Sequence, residues 1–399
     1  MNNEQIGRLL QDLVRIPSVG PHGDPGTDAK NTGEARTVEF LADFLRKLAL
    51  DVEIQEVEPG RPNVIGKFSS RGGKHAVALA PHTDTVSVAG MTIDPFGAEM
   101  RDGKLFGRGA TDAKGSMAAM LAALANVVRE KTFCEGDLDV YFCGLMGEES
   151  GNDGARALAT QGFRPDFLIA GEPTECRIVY THKGSMWFKL ITRGRSAHGA
   201  TPERGENAIS KMAEVVRYLL GDYADSLRRS GLPAATTLGP PTVSIGVIRG
   251  GAQTNIVPNY CEIEVDRRTL PGEDHGKIVA ELCDRLHVEA QGVRDCPPLY
   301  THPENMFVQR LADAVVGPLP SAGVSFSSRG GTRLPTHSQD ALVGASWFCD
   351  AAVFSEHGVP AVAFGPGDIA QAHTADEFIE LREVFRAAQI LERFLISCA

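Results

Sequence analysis

The hydrophobic pattern changes character twice along this chain, and that double change limits the folds open to it. From residue 4 to 170, helical and strand-like segments alternate. Ile6, Leu9, Leu10 and Leu13 keep helical spacing up to Pro17, and Val38, Leu41, Phe44, Leu45 and Leu48 repeat it. Short apolar runs follow at Val52–Val57, Val64–Phe68 and Ala76–Ala80. Then come an Ala-rich helix over Ser116–Val128 and further runs at Leu138–Leu145 and Phe167–Ala170. Continuous apolar runs between helices predict an α/β layer around a mixed, mostly parallel sheet buried on both faces. From residue 184 the order becomes β-α-β-β-α-β. It comprises strand Met186–Thr192, helix Asn207–Leu220, strands Thr242–Ile248 and Tyr260–Arg267, a helix from Glu273 to Leu286, and a short strand near Val288. That is the split βαβ order of a ferredoxin-like α+β domain. The first pattern then resumes with helix Met306–Val316, strand Ala361–Phe364 and a closing helix over Glu377–Phe394. At 399 residues the chain exceeds one ordinary core. The expected division is one domain from residues 1–181 and 293–399, with residues 182–292 inserted. The polar, glycine-rich stretch Ser321–Thr332 is expected to form a mobile surface loop.

Charge narrows the function. The net charge is −11 and no basic run stands out, which argues against nucleic acid or a membrane surface as partner. No apolar run approaches the 18 or so residues of a membrane span. The start, Met1-Asn-Asn-Glu-Gln-Ile, shows no charged segment followed by an apolar one, so no signal peptide is expected. The eight cysteines form no Cys-x-x-Cys and several lie in apolar runs, as in a reduced, cytoplasmic protein.

Chemistry-bearing residues cluster where the apolar runs end. Glu148 and Glu149 follow the run Val140–Leu145. Neighbours at a strand end point in different directions, so one carboxylate could hold a metal while the other faces a water. His82 follows Ala76–Ala80, and Asp84, two residues on, could accept the proton of its non-ligating ring nitrogen. Asp112 stands in Gly107-Arg-Gly-Ala-Thr-Asp-Ala-Lys-Gly115, before the Ala-rich helix. It either caps that helix or bridges two cations. Glu172 ends another run, with Pro173 stiffening the next residue. His373 lies in the Gly-Pro loop beyond the last strand. Open parallel sheets gather their sites beyond the carboxyl ends of the strands, where four of these five fall. Three carboxylates and two imidazoles suit zinc, with cobalt or manganese as alternatives. Shared between two ions with Asp112 as bridge, they give each ion three protein contacts. No phosphate-binding Gly-x-x-x-x-Gly-Lys-Ser/Thr or dinucleotide Gly-x-Gly-x-x-Gly occurs at a strand-to-helix turn.

His82-Thr-Asp84, Gly107-Arg-Gly-x-x-Asp112-x-Lys-Gly115, Gly147-Glu-Glu149, Gly171-Glu-Pro-Thr174, His182-Lys-Gly184, Ser196-Ala-His198 and the stretch from Gly365-Pro-Gly to His373 span nearly the whole chain. Together they resemble the co-catalytic zinc peptidase and deacylase family of acetylornithine deacetylase, succinyl-diaminopimelate desuccinylase, aminoacylase and glutamate carboxypeptidase. The resemblance implies that His82 and Glu172 hold one metal, that Glu149 and His373 hold the other, and that Asp112 bridges. Glu148 would be the general base and Asp84 the partner of His82. His198 would donate to the oxyanion of a neighbouring subunit's site, and Asn255, Arg268 and Gly365 would contact substrate. The insertion would be a lid that forms a homodimer. The expected reaction is hydrolysis of the amide of a small N-acylated amino acid, in the manner of acetylornithine deacetylase. Glutamate carboxypeptidase-like dipeptidase, carbamoyl hydrolase or deaminase activity, and an inactive binding homologue, are the alternatives.

Overall fold

The computed structural model describes residues 1–21, 28–317 and 337–399; Ser321–Thr332 lies outside the described residues. The chain divides into two compact units. One comprises Met1–Tyr180, Tyr300–Val343 and Cys349–Ala399, the other Thr181–Leu299 and Gly344–Phe348.

The first unit is built on a mixed sheet. Its strands lie in the order Asp51–Glu58, Arg61–Phe68, Leu138–Gly144, His75–Pro81, Phe167–Gly171, Ala361–Ala363, Ile178–His182 and Leu299–Tyr300, with Leu342–Ala345 also paired to Ile178–His182. The four from Leu138–Gly144 to Ala361–Ala363 run parallel. Phe167–Gly171 and Ala361–Ala363 are buried throughout, as expected of parallel strands covered on both faces. Helix Gly115–Val127 is buried nearly all round, because its alanines let it sit close against its neighbours. The closing helix Leu381–Cys398 packs on it, and Asn126 Nδ2 donates to Glu392 across the pair at 2.7 Å.

Register, more than proximity in sequence, sets the site. Pro81 lies opposite Gly171, so the next residues, His82 and Glu172, emerge side by side. On the other flank His82 forms a parallel bridge with Leu145, three residues before Glu148.

The closing helix starts at Leu381, not at Glu377 as the periodicity predicts. Phe378–Glu380 is instead a strand, paired with Lys104–Phe106, which pairs in turn with Glu99–Arg101. Each strand of this small sheet has three residues, too few to show alternation.

The second unit is a four-stranded antiparallel sheet in the order Thr242–Gly250, Tyr260–Thr269, Gly184–Arg193, Glu289–Cys296. Numbered along the chain these are the second, third, first and fourth strands, the ferredoxin-like arrangement. Met186, Phe188 and Leu190 alternate towards Met212 and Val215 of helix Ala208–Tyr218 and Leu282 of helix His275–Leu286. The opposite face carries charge as well as the exposed Trp187, with Lys189 paired to Glu262 at 3.3 Å and Arg249 to Glu264 at 2.6 Å.

Candidate metal centre

His82 is buried, and its ring is fixed at both nitrogens. Nδ1 lies 3.0 Å from the carbonyl oxygen of Asp84, which can only accept, so Nδ1 is the donor. That leaves Nε2 facing Asp112 Oδ1 at 2.9 Å. The Asp84 carboxylate stands further from Nδ1, at 3.5 Å. Its two oxygens instead accept the backbone N–H groups of Glu148 and Glu149, each at 3.1 Å. The expected pairing of Asp84 with His82 is therefore made chiefly by its backbone. Its side chain pins the turn that carries both glutamates.

Asp112 does not cap a helix. Its backbone is extended (φ −121°, ψ 95°) between the turn at Gly109 and helix Gly115–Val127. The side chain points one oxygen at each histidine, with Oδ1 at 2.9 Å from His82 Nε2 and Oδ2 at 3.5 Å from His373 Nε2. His373 Nε2 also lies 3.2 Å from Glu149 Oε1. His373 holds a left-handed backbone (φ 63°), a costly conformation for a non-glycine residue and of the kind that collects at functional sites. Ligand-type atoms of His82, Asp112 and Glu149 all lie within 4.8 Å of one another. Glu172 is buried beside them, with the charges of His82, Asp112 and Glu149 acting on its carboxyl.

Electrostatics show what this arrangement lacks. Burial, followed by the nearby charge of Glu172, pushes the Glu148 carboxyl well above its ordinary value. Burial and Asp112 raise Glu149, and burial also lifts Glu172. Hydrogen bonds to Asp112 and Glu149 push the His373 ring up to about 10. Burial opposes the charge of His82, but its bonds to Asp112 and Asp84 outweigh it and hold the ring well above normal. Carboxylates crowded out of water with two imidazoles lack positive charge, and a pair of divalent cations would supply it. The donor set, nitrogen and carboxylate oxygen without sulfur, fits zinc, cobalt or manganese.

The remaining expected residues fare differently. His198 and Asn255 lie on adjoining exposed loops of the second unit, where Gly199 N–H donates to the Asn255 carbonyl at 2.8 Å and His198 bridges to Ile256. His198 Nδ1 accepts the Ala200 N–H at 3.0 Å, so the neutral ring carries its proton on Nε2. Arg268 departs from expectation. Its fork is closed on Asp266 (Nε–Oδ1 2.8 Å, Nη2–Oδ2 3.0 Å), because residues two apart on a strand share a face. Trp187 and Phe348 lie 5.9 Å from the same guanidinium. Gly365 is likewise a packing residue here, not a free contact. Its N–H donates to Thr174 Oγ1 at 3.1 Å, and its carbonyl accepts from Cys176 N–H at 2.8 Å. An added Cβ would stand 2.1 Å from Ser116 Oγ.

Two buried carboxylates escaped the sequence reading. Asp350 accepts from Asn152 Nδ2 at 2.9 Å, and burial raises its carboxyl to about 6. Asn152 in turn closes the glutamate turn through its N–H to the Gly147 carbonyl at 2.8 Å. Glu377 is buried and accepts from Arg108 and from the backbone N–H groups of Gly109, Thr111 and Asp112. The sequence places Glu377 at the start of the closing helix, and only the long-range fold shows its true partners.

The geometry is that of a metallohydrolase core with an inserted ferredoxin-like domain. Known proteins agree. Residues 63–171 match the family model of peptidase family M28, and residues 180–293 match that of the peptidase dimerisation domain. Among solved structures, the chain is similar to aminopeptidase PepT from Bacillus cereus, with a TM-score of 0.72 at 23% identity over 99% of this chain and 98% of that one. A tripeptidase from Staphylococcus aureus gives 0.70 at 22% identity, covering 99% of this chain and 98% of that one. An M20 family metallo-carboxypeptidase from Sulfolobus solfataricus gives 0.71 at 18% identity, covering 99% of both chains. At these identities the likenesses speak for the fold. In its matched segments and its motifs, the chain is similar to the co-catalytic metallopeptidases.

Proposed function

We propose that the chain hydrolyses the amide bond of a small N-acylated amino acid, using two divalent metal ions held by His82, Asp112, Glu149, Glu172 and His373. The observation that carries this reading is the placement of Asp112, with one oxygen towards each histidine beyond the ends of the parallel strands. Zinc is the first choice of metal.

When bound, the ions would polarise the amide carbonyl and acidify a water. Glu148 moves the proton. Its carboxylate takes a proton from the attacking water as the C–O bond forms, and returns it to the amide nitrogen as the C–N bond breaks. Asp84 keeps Glu148 and Glu149 apart in role by holding both their backbone N–H groups. His198, with its proton on Nε2, donates to the developing oxyanion in the partner subunit's site, and the dimerisation-domain match supports such a homodimer. A preorganised donor of that kind contributes roughly 3–4 kcal/mol to lowering the barrier. Asn255, on the loop adjoining His198, contacts substrate. With the Arg268 fork closed on Asp266, the substrate carboxylate must find another partner unless that pair opens.

A second reading, cleavage of a short peptide, is favoured by the neighbours described as an aminopeptidase and a tripeptidase. Turnover of N-acetyl, N-succinyl and N-carbamoyl amino acids, dipeptides and tripeptides, with zinc, cobalt or manganese, separates the two. Higher kcat/KM on N-acyl amino acids supports the first reading, and peptides alone support the second. No turnover of any of them with any metal contradicts both.

A further inference from the structure

Glu377 lies four residues beyond His373, yet its carboxylate is turned entirely to the loop that carries Asp112. Oε2 accepts from Arg108 Nη1 at 2.7 Å and from the Gly109 N–H at 3.1 Å. Oε1 accepts from the N–H groups of Thr111 at 2.9 Å and of Asp112 itself at 3.2 Å. The side chain is buried, and four donors converge on two oxygens with no acceptor among them, so the geometry is that of an ionised carboxylate. Two further ties join the same segments. Gly107 N–H donates to the Glu377 carbonyl at 3.0 Å, and Thr111 Oγ1 to the Phe378 carbonyl at 2.7 Å.

An extended loop segment has no ladder of its own to satisfy its N–H groups, and burial makes each unsatisfied one costly. Glu377 satisfies three of them and in doing so fixes the backbone from which Asp112 projects. The strand Phe378–Glu380 pairs with Lys104–Phe106, just ahead of the loop that bears Asp112, and Glu377 itself follows His373 by four residues. One short segment therefore carries a ligand histidine and the hold on the carboxylate facing both histidines.

We propose that Glu377 is the positioning residue of the metal pair, setting the register between Asp112 and His373 without touching metal or substrate. This rests on the reading of Asp112 as the shared carboxylate. Because Asp112 faces both histidines, loosening it should weaken both metal sites together, whereas His373→Ala should weaken one.

The test is calorimetric zinc titration of the metal-stripped full-length chain. Wild type should bind two ions. Glu377→Gln places an amide N–H against backbone donors, and should lose roughly 10–100-fold in affinity at both sites, the usual effect of removing a partner that orients ligands. Leu391→Ala, in the core of the closing helix, serves as a control for lost stability alone and should leave both affinities unchanged. If Glu377→Gln does not fold, Thr111→Val removes one tie between the loops and should weaken both sites a few-fold. Two wild-type ions with unchanged affinities in the folded variant would overturn the proposal, as would an equal loss in Leu391→Ala. A wild-type chain that binds fewer than two ions overturns the two-metal reading, and this proposal with it.

Discussion

Adjacent glutamates can divide a task only if the backbone beneath them is held still. Asp84 holds it, by accepting the N–H of Glu148 on one oxygen and of Glu149 on the other. Glu149 meets His373 at 3.2 Å, while Glu148 is buried beside it. Glu148→Gln should therefore keep both metals and lose about 10²–10⁴ in kcat, since an amide accepts no proton from water. Glu149→Gln should weaken one metal site. Metal analysis beside steady-state kinetics checks both, and equal metal loss in the two variants would mean that the roles are misassigned.

His182 makes a pH-dependent prediction at the same scale. Its Nδ1 donates to the Lys183 carbonyl at 2.9 Å, its Nε2 is buried without a hydrogen-bond partner among the described residues, and burial pushes the ring down to about 4. An unfolded histidine titrates near 6.5, so between about pH 6.5 and 4 the unfolded chain takes up a proton that the folded chain refuses. Stability should fall across that window as pH drops, by at most about 3 kcal/mol from this group. In His182→Asn, which cannot titrate, denaturant unfolding at pH 7 and pH 4.5 should show a smaller difference than in wild type. Equal differences would remove His182 from the acid limb.

Among elements, what could be read from sequence depended on length and on burial. The strand Phe167–Gly171 was visible because burial on both faces makes it continuously apolar, and Leu138–Gly144 because its apolar run from Val140 is nearly so. The inserted domain was visible because its order of elements is distinctive even where boundaries blur. The strand Ile178–His182 and the three-residue strands at residues 99–106 and 378–380 were not, since their pairing is decided by distant partners. The proposed ligands were legible one by one at strand ends, but their convergence comes from register, with Pro81 opposite Gly171. Glu377 was illegible as a clamp because its partners lie 265 to 269 residues away. Close packing of elements also marks Gly365, where a Cβ would meet Ser116 Oγ at 2.1 Å and the Glu172 carbonyl at 2.6 Å. Gly365→Ala should cost about 1–3 kcal/mol through overpacking and should also lower metal affinity by displacing Glu172. Thermal unfolding and metal titration read the two effects, and wild-type values in both would show that the strands can part without consequence.

For the whole molecule, the proposed dimer carries a prediction of its own. If His198 serves the partner's site, inactive His198→Ala and inactive Glu148→Gln chains should complement one another on mixing. Random exchange makes about half the dimers mixed, each with one intact site of two, so activity should return to about a quarter of wild type. No recovery after verified exchange would place His198 in its own chain's site.

The central claim, that this chain works through a shared pair of metal ions, is tested most directly by stripping the metal and adding it back. Activity on the best substrate of the panel should vanish in the apo-protein and return fully only as bound zinc reaches two ions per chain. Glu148→Gln should bind the same two ions and remain inactive. Full activity in the metal-free chain, or saturation of wild type at fewer than two ions, would contradict the account.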